Sequence, residues 1–139
     1  TPSNSSAASD VYKRQIIYHT YGGGGVNNIA NISDIAIFLE NAKALISAGR
    51  YDFVPRRKNM QSLAQHGLTI TDAKAELLEL VVRDYYKGPK QDFNPDKPGD
   101  IWEFKKYIAG RLFYIKLKIT QENGTDILKC LGFHEDDFA

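Results

Sequence analysis

From Asp100 to Thr120 the chain reads DIWEFKKYIAGRLFYIKLKIT, and apolar and polar residues alternate along it with a period of two. Successive side chains of a strand point to opposite faces, so this stretch is expected to fold as a β-hairpin with one apolar face. In the first strand, Ile101–Ile108, Trp102 and Phe104 fall on one side and Glu103 and Lys105 on the other. Ala109–Gly110 makes the tight turn. In the second, Arg111–Thr120, Phe113, Ile115, Leu117 and Ile119 face a core while Tyr114, Lys116 and Lys118 face outward. Asn123–Gly124 is a second hairpin-turn signal. It leads into a third strand, Thr125–Phe133, in which Ile127, Lys129, Leu131 and Phe133 alternate against Leu128, Cys130 and His134. Both faces of that strand carry apolar residues, so it is expected to be covered on both sides.

Helical periodicity precedes the hairpins. Ile35, Phe38, Leu39, Ala42, Leu45 and Ile46 recur at helical spacing, with Ser33 as the expected N-cap and Gly49 as the stop. After a short connector, Tyr51–Pro55, a second helix is expected over Arg56–His66, with Met60, Leu63 and Ala64 inward and Gly67 as terminator. A third runs from a Thr71 cap to about Val82, burying Ala73, Leu77, Leu78 and Val81. Arg83–Lys87 extends it or begins a turn. Gly88–Gly99, with three prolines and two glycines, reads as a loop. The expected fold class is α+β, three N-terminal helices packed on a small antiparallel β-meander.

At 139 residues the chain is most simply one domain. Residues 33–139 are expected to carry it. Residues 16–32 contain Gly22–Gly25 and read as a flexible segment, because no lysine and Ser/Thr follow to make a phosphate loop. Residues 1–15 are Ser/Ala-rich and read as disordered. Within them Asp10–Gln15, DVYKRQ, resembles a translated sequencing adapter, which implies a metagenomic gene, and this tail is set aside from fold reasoning.

No apolar run reaches the length of a membrane-spanning helix, and no secretory signal is recognisable. Cys130 is the only cysteine, which excludes an intrachain disulfide and fits a reducing, cytoplasmic setting. No His, Asp and Glu spacing matches a metal cage, so neither a metal nor a cofactor is expected. Net charge is +1, but the charge is unevenly spread. Between Glu103 and Lys118 one acid, Glu103, stands against five cations, Lys105, Lys106, Arg111, Lys116 and Lys118. Arg56, Arg57 and Lys58 form a second basic cluster, offset by Glu135, Asp136 and Asp137.

A basic, tyrosine-bearing strand face suits a phosphate backbone. RNA cleavage needs a base for the ribose 2′-OH, an acid for the leaving 5′-oxygen and cations or donors on the phosphate. Glu103 or His134 offers base or acid, Tyr114 a donor, and Lys87, Lys116 or Lys118 a clamp. Tyr85 and Tyr86 are able to stack on bases, or to pack on the core. On periodicity alone the same face reads equally as a solvated one.

Several short motifs narrow this. RRKN (Arg56–Asn59), LAQHGLT (Leu63–Thr69), DYYKGP (Asp84–Pro89), GDIWEF (Gly99–Phe104), FYIKLKI (Phe113–Ile119) and LGFH (Leu131–His134) resemble, in order and spacing, the MqsR-like bacterial toxins. The resemblance covers roughly residues 35–134. It implies a RelE-like toxin fold and metal-independent endoribonuclease cleavage of mRNA. It also implies restraint by a cognate antitoxin in the bacterial cytoplasm. The family's catalytic lysine falls on Lys87 and its catalytic tyrosine on Tyr114. Two positions depart from the best-known member: Glu103 replaces a glutamine and His134 a lysine. The implied catalytic set is Lys87, Glu103, Tyr114 and His134, with Arg56, Arg57, Lys58, Lys105, Lys116 and Lys118 on the RNA. The alternative is a non-catalytic nucleic-acid- or protein-binding module, a degenerate toxin or mobile-element protein.

Overall fold

The structure, a computed structural model, describes residues 29–137 apart from positions 93 and 95. The tail 1–15 and the Gly-rich run Gly22–Gly25 therefore lie outside the described residues. Helix α1 (Ile32–Ser47) leads to strand β1 (Tyr51–Phe53), helices α2 (Arg57–Gln65) and α3 (Ile70–Leu78) and a single 3-10 turn (Val82–Asp84). Strands β2 (Tyr85–Gln91), β3 (Asp100–Ile108), β4 (Arg111–Glu122) and β5 (Thr125–Glu135) follow. They form one sheet in the order β1-β5-β4-β3-β2.

This overturns the expected small antiparallel meander. The sheet has five strands and is mixed, because β1 runs parallel to β5. Two of its strands come from segments without strand periodicity. β1 is the supposed connector, and its pairing of Tyr51–Phe53 with Leu128–Cys130 is made across more than seventy residues. β2 arises where a helix end and a loop were expected, and it pairs antiparallel with β3 through two register irregularities. Neither segment alternates, so only the partner strand's open edge makes them strands.

The helix ends shift for local reasons. Asn31, not Ser33, caps α1, its side chain accepting from Asp34 N at 2.9 Å. Thr69, not Thr71, caps α3, in a reciprocal box with Asp72. α3 then stops at Leu78, leaving Val81 exposed and burying Leu80 instead. Gly49, at φ +79°, ends the turn after α1 as expected. Ile35, Phe38, Leu39, Ala42 and Ile46 of α1 share the buried cluster with Ala73 and Leu77 of α3 and with Phe104, Phe113, Ile115 and Leu117 of the sheet. Phe38 stacks on Trp102 with ring centroids 4.6 Å apart.

α2 docks differently from the expected apolar stripe. Met60 is exposed and Asn59 is buried in its place. The Asn59 amide donates to Val54 O (3.0 Å) and Leu131 O (3.1 Å) and accepts from Phe133 N (2.9 Å). Ser62 Oγ accepts from Glu135 N at 3.0 Å. Apart from Val54 O, which follows β1, these are in-plane backbone groups of β5 beyond its short pairing with β1. α2 therefore finishes the sheet edge with side chains, where a further strand would otherwise be needed.

Both predicted two-residue turns form, with positive φ at Ala109, Gly110, Asn123 and Gly124. β5 also carries an irregularity. Lys116 pairs with Gly132 but Leu117 with Cys130, so Leu131 is an extra residue. This bulge reverses the parity of the strand. Leu128, Cys130 and, past the bulge, Phe133 lie on the core side, while His134 turns to the face of Tyr114 and Lys116. Among the described residues no helix is long and apolar enough to cross a membrane.

Because Asn59 satisfies three backbone groups at once, Asn59→Ala is expected to cost about 3 kcal/mol, well above the ~1 kcal/mol of one hydrogen bond. Asn59→Asp, which accepts but cannot donate, is expected to cost nearly as much. Urea unfolding of the two variants checks both values.

Candidate functional site

The polar face of the sheet holds a depression of about 340 Å³ lined by Lys58, Tyr86, Lys87, Lys105, Tyr114, Lys116, His134, Asp136 and Asp137. Four strands and the start of α2 contribute to it. Cross-strand register does the assembling: Tyr114 lies opposite Lys105 on β3 and His134 on β5, and Lys116 lies opposite Glu103 and Gly132. Gly132 is small where Lys116 rises. A Cβ built there would stand 3.3 Å from the Lys116 Cβ.

The aromatic rings meet edge to face. Tyr114 stands 5.5 Å from His134 at 84° and 6.4 Å from Tyr86 at 89°. Lysine ammonium groups lie over these rings: Lys105 at 4.1 Å and Lys87 at 5.3 Å from Tyr86, Lys116 at 5.7 Å from Tyr114. His134 Nδ1 is 2.9 Å from Glu135 O. A carbonyl only accepts, so Nδ1 carries the proton and Nε2 is the basic nitrogen of the neutral ring.

Three of the four expected catalytic residues, Lys87, Tyr114 and His134, thus share one depression. Glu103 does not reach its surface. It points to the same face but is wholly buried between Lys87 of β2 and Lys116 of β4, its register partners. Lys90 Nζ stands 3.1 Å from its Oε2, an ion pair by distance without hydrogen-bond geometry. The carboxylate is closed off from the surface in this structure, so the exposed position expected of a base or acid is not the one it occupies, and its nearest cation is Lys90. Burial holds the Lys116 ammonium below the usual lysine range, with Lys90, Arg56 and Lys87 pushing the same way and Glu103 opposing.

The expected RNA-facing cations separate. Lys58, Lys105 and Lys116 line the depression. Lys118 does not: it is buried and bonded to Asp92 at 2.9 Å, under the loop between β2 and β3. It anchors that loop, in place of the open position expected of an RNA contact. Arg56 is exposed and lines a neighbouring depression of about 350 Å³ with Asp52, Asp92 and Lys118. Arg57 opens α2, exposed, and lines neither depression.

Sequence reasoning left Tyr86 open between stacking on a base and packing on the core, and gave Asp136 and Asp137 no place at the site. Strand parity would have separated the two tyrosines, had residues 85–91 been read as a strand. Tyr85 turns inward, donating to Gly88 O and packing edge-on against Trp102 and Phe104, while Tyr86 is exposed at the site. Asp136 Oδ2 stands 2.7 Å from Lys105 Nζ, an ion pair by distance, and holds that ammonium above its usual range, and Asp137 pairs with Lys58. Among the described residues no group of three His, Cys, Asp or Glu side chains converges as a metal site would require.

Searched against protein-family models, curated proteins and solved structures, the chain finds no match.

Lys87 owes its place to the residue after it. Gly88 has φ +115°, and a Cβ there would lie 2.6 Å from Ile101 O. Gly88→Ala adds a backbone clash to the left-handed penalty of about 1–2 kcal/mol. Gly49→Ala, at φ +79° with nothing within 4 Å, carries the penalty alone. The expected result is a lower melting temperature for Gly88→Ala than for Gly49→Ala, measured calorimetrically.

Proposed function

We propose that this chain is a ribonuclease toxin of the MqsR-like kind, cleaving mRNA by attack of the ribose 2′-OH and restrained by a cognate antitoxin. The toxin and antitoxin parts rest on the motif resemblance, as does a bacterial cytoplasmic setting. The chemistry rests on one observation: a basic nitrogen on His134, a tyrosine and two lysines without ion-pair partners among the described residues, Lys87 and Lys116, line the same depression.

In this reading His134 Nε2 takes the 2′-OH proton and the 2′-oxygen attacks the adjacent phosphorus. The 5′-oxygen leaves with a proton from Lys116, and the products are a 2′,3′-cyclic phosphate and a 5′-OH. Lys87 and the Tyr114 hydroxyl hold the non-bridging oxygens as charge builds on them. A lysine whose pKa is lowered by burial is a better proton donor than an ordinary one. Tyr86 offers its exposed ring to a base beside the scissile bond.

A non-catalytic binding module draws on one observation in turn, the sealing of Glu103 beneath the surface. RNA bound and left intact by the wild-type chain would favour that reading.

His134→Ala and Tyr114→Phe are expected to lower cleavage about 100-fold or more, the usual scale of a lost acid–base or oxyanion contact. Gel analysis of a defined RNA, with a 2′-deoxy substitution at the cut site abolishing the product, checks this. Cleavage near wild-type rate in both variants sinks the assignment.

The pH profile tests Lys116. Its pKa lies below the usual lysine value, so its proton is lost, and cleavage falls, at a lower pH than for an exposed lysine. Glu103 raises that pKa, so Glu103→Gln is expected to move the alkaline limb to still lower pH. Lys116→Arg, which stays charged, is expected to remove the limb. An alkaline limb unmoved in both variants separates Lys116 from the proton transfer.

A further inference from the structure

The four lysines of the depression fall into two pairs. Lys87 and Lys116 have no carboxylate partner among the ion pairs of the described residues. Lys58 and Lys105 each carry one, from adjacent residues of the acidic turn that follows β5. Both aspartates line the depression themselves, so their charges lie where a bound anion would meet these lysines.

The two acids differ in how firmly they are held. Asp136 continues the ladder, its N–H donating to Leu112 O at 2.8 Å, and its side chain is almost wholly enclosed. Asp137 is exposed, as is its partner Lys58, with about half of each side chain open to water. An exposed pair of this kind contributes little to stability and exchanges readily.

We infer that Lys58 and Asp137 form an electrostatic gate on a second phosphate subsite. The Asp137 carboxylate occupies Lys58 in the free protein, and the phosphodiester next to the scissile one displaces it. Asp136 stays in place and aims Lys105 over the Tyr86 ring. The ligand is single-stranded RNA backbone, and this inference rests on the reading of the depression as an RNA site. No group is transferred in the exchange. One carboxylate returns to water as one phosphate leaves it, so the gate sets affinity and salt dependence rather than the chemical step.

The experiment measures binding of a non-cleavable, 2′-O-methyl oligonucleotide to the full chain across a range of salt. Asp137→Asn is compared with Glu40→Gln, an exposed acid on α1, which removes the same charge away from the depression. The expected result is about two- to five-fold tighter binding for Asp137→Asn than for Glu40→Gln. Its slope of log affinity against log salt should be steeper by about 0.7, one contact on a single strand. In a Lys58→Met background the gain from Asp137→Asn should shrink to that of Glu40→Gln. Equal effects of Asp137→Asn and Glu40→Gln, or a gain that persists without Lys58, overturn the gate while leaving the RNA site standing. No binding by any form overturns both.

Discussion

The whole arrangement depends on how the edge of β5 is closed. A strand inside a sheet needs partners for its backbone on both sides, and β5 has a continuous one only in β4. On the other side β1 serves three residues, Leu128–Cys130. From there the Asn59 amide and the Ser62 hydroxyl take over, satisfying Leu131 O, Phe133 N and Glu135 N. An asparagine is suited to this because its side chain presents the same donor and acceptor as a peptide group. The helix so docked is capped by Arg56 and begins with Arg57 and Lys58, and Lys58 in its first turn therefore lines the polar face where β5 ends.

The bulge at Leu131 belongs to the same constraint. Even-numbered residues of β5 turn toward β1 before it, and odd-numbered ones toward α2 after it. The change of partner along the edge and the change of parity are one event. Its consequence for the site is direct: His134 leaves the side occupied by Leu128 and Cys130 and stands across from Tyr114. The same device lets Phe133 enter the core, where its ring lies 5.3 Å from Phe113. The apolar residues on both faces of this strand reflect that switch.

Much of the hairpin pair was legible. Ala109–Gly110 and Asn123–Gly124 form turns as their residue types demand, and Phe113, Ile115 and Leu117 are buried as their alternation requires. The first helix was legible for the same reason, since its buried stripe is a local periodicity. β1, β2 and the docking of α2 were not, because a three-residue strand has no period to read and a buried asparagine looks like a surface one. Of the residues that line the depression, Lys87, Tyr114, Lys116 and His134 had been singled out through motif resemblance and strand parity together. Asp136 and Asp137 were not, and Tyr86 stayed open between a base and the core, since each acquires its place from a strand end or edge that the sequence does not mark.

By itself the sequence determined which residues of β3 and β4 share a face, and hence that a basic, tyrosine-bearing surface exists. Local alternation suffices for that, because the backbone of one strand sets the direction of its own side chains. Only the tertiary structure decided which of those residues meet solvent and with what charge. Glu103 and Lys118 lie on the polar face yet are buried, one beneath lysines from β2 and β4, the other beneath a loop. Lys58 and Lys105 face the depression but carry carboxylates from the far end of the chain. Burial and pairing are properties of neighbours in space, set by register between distant strands, and no pattern within a single strand encodes them.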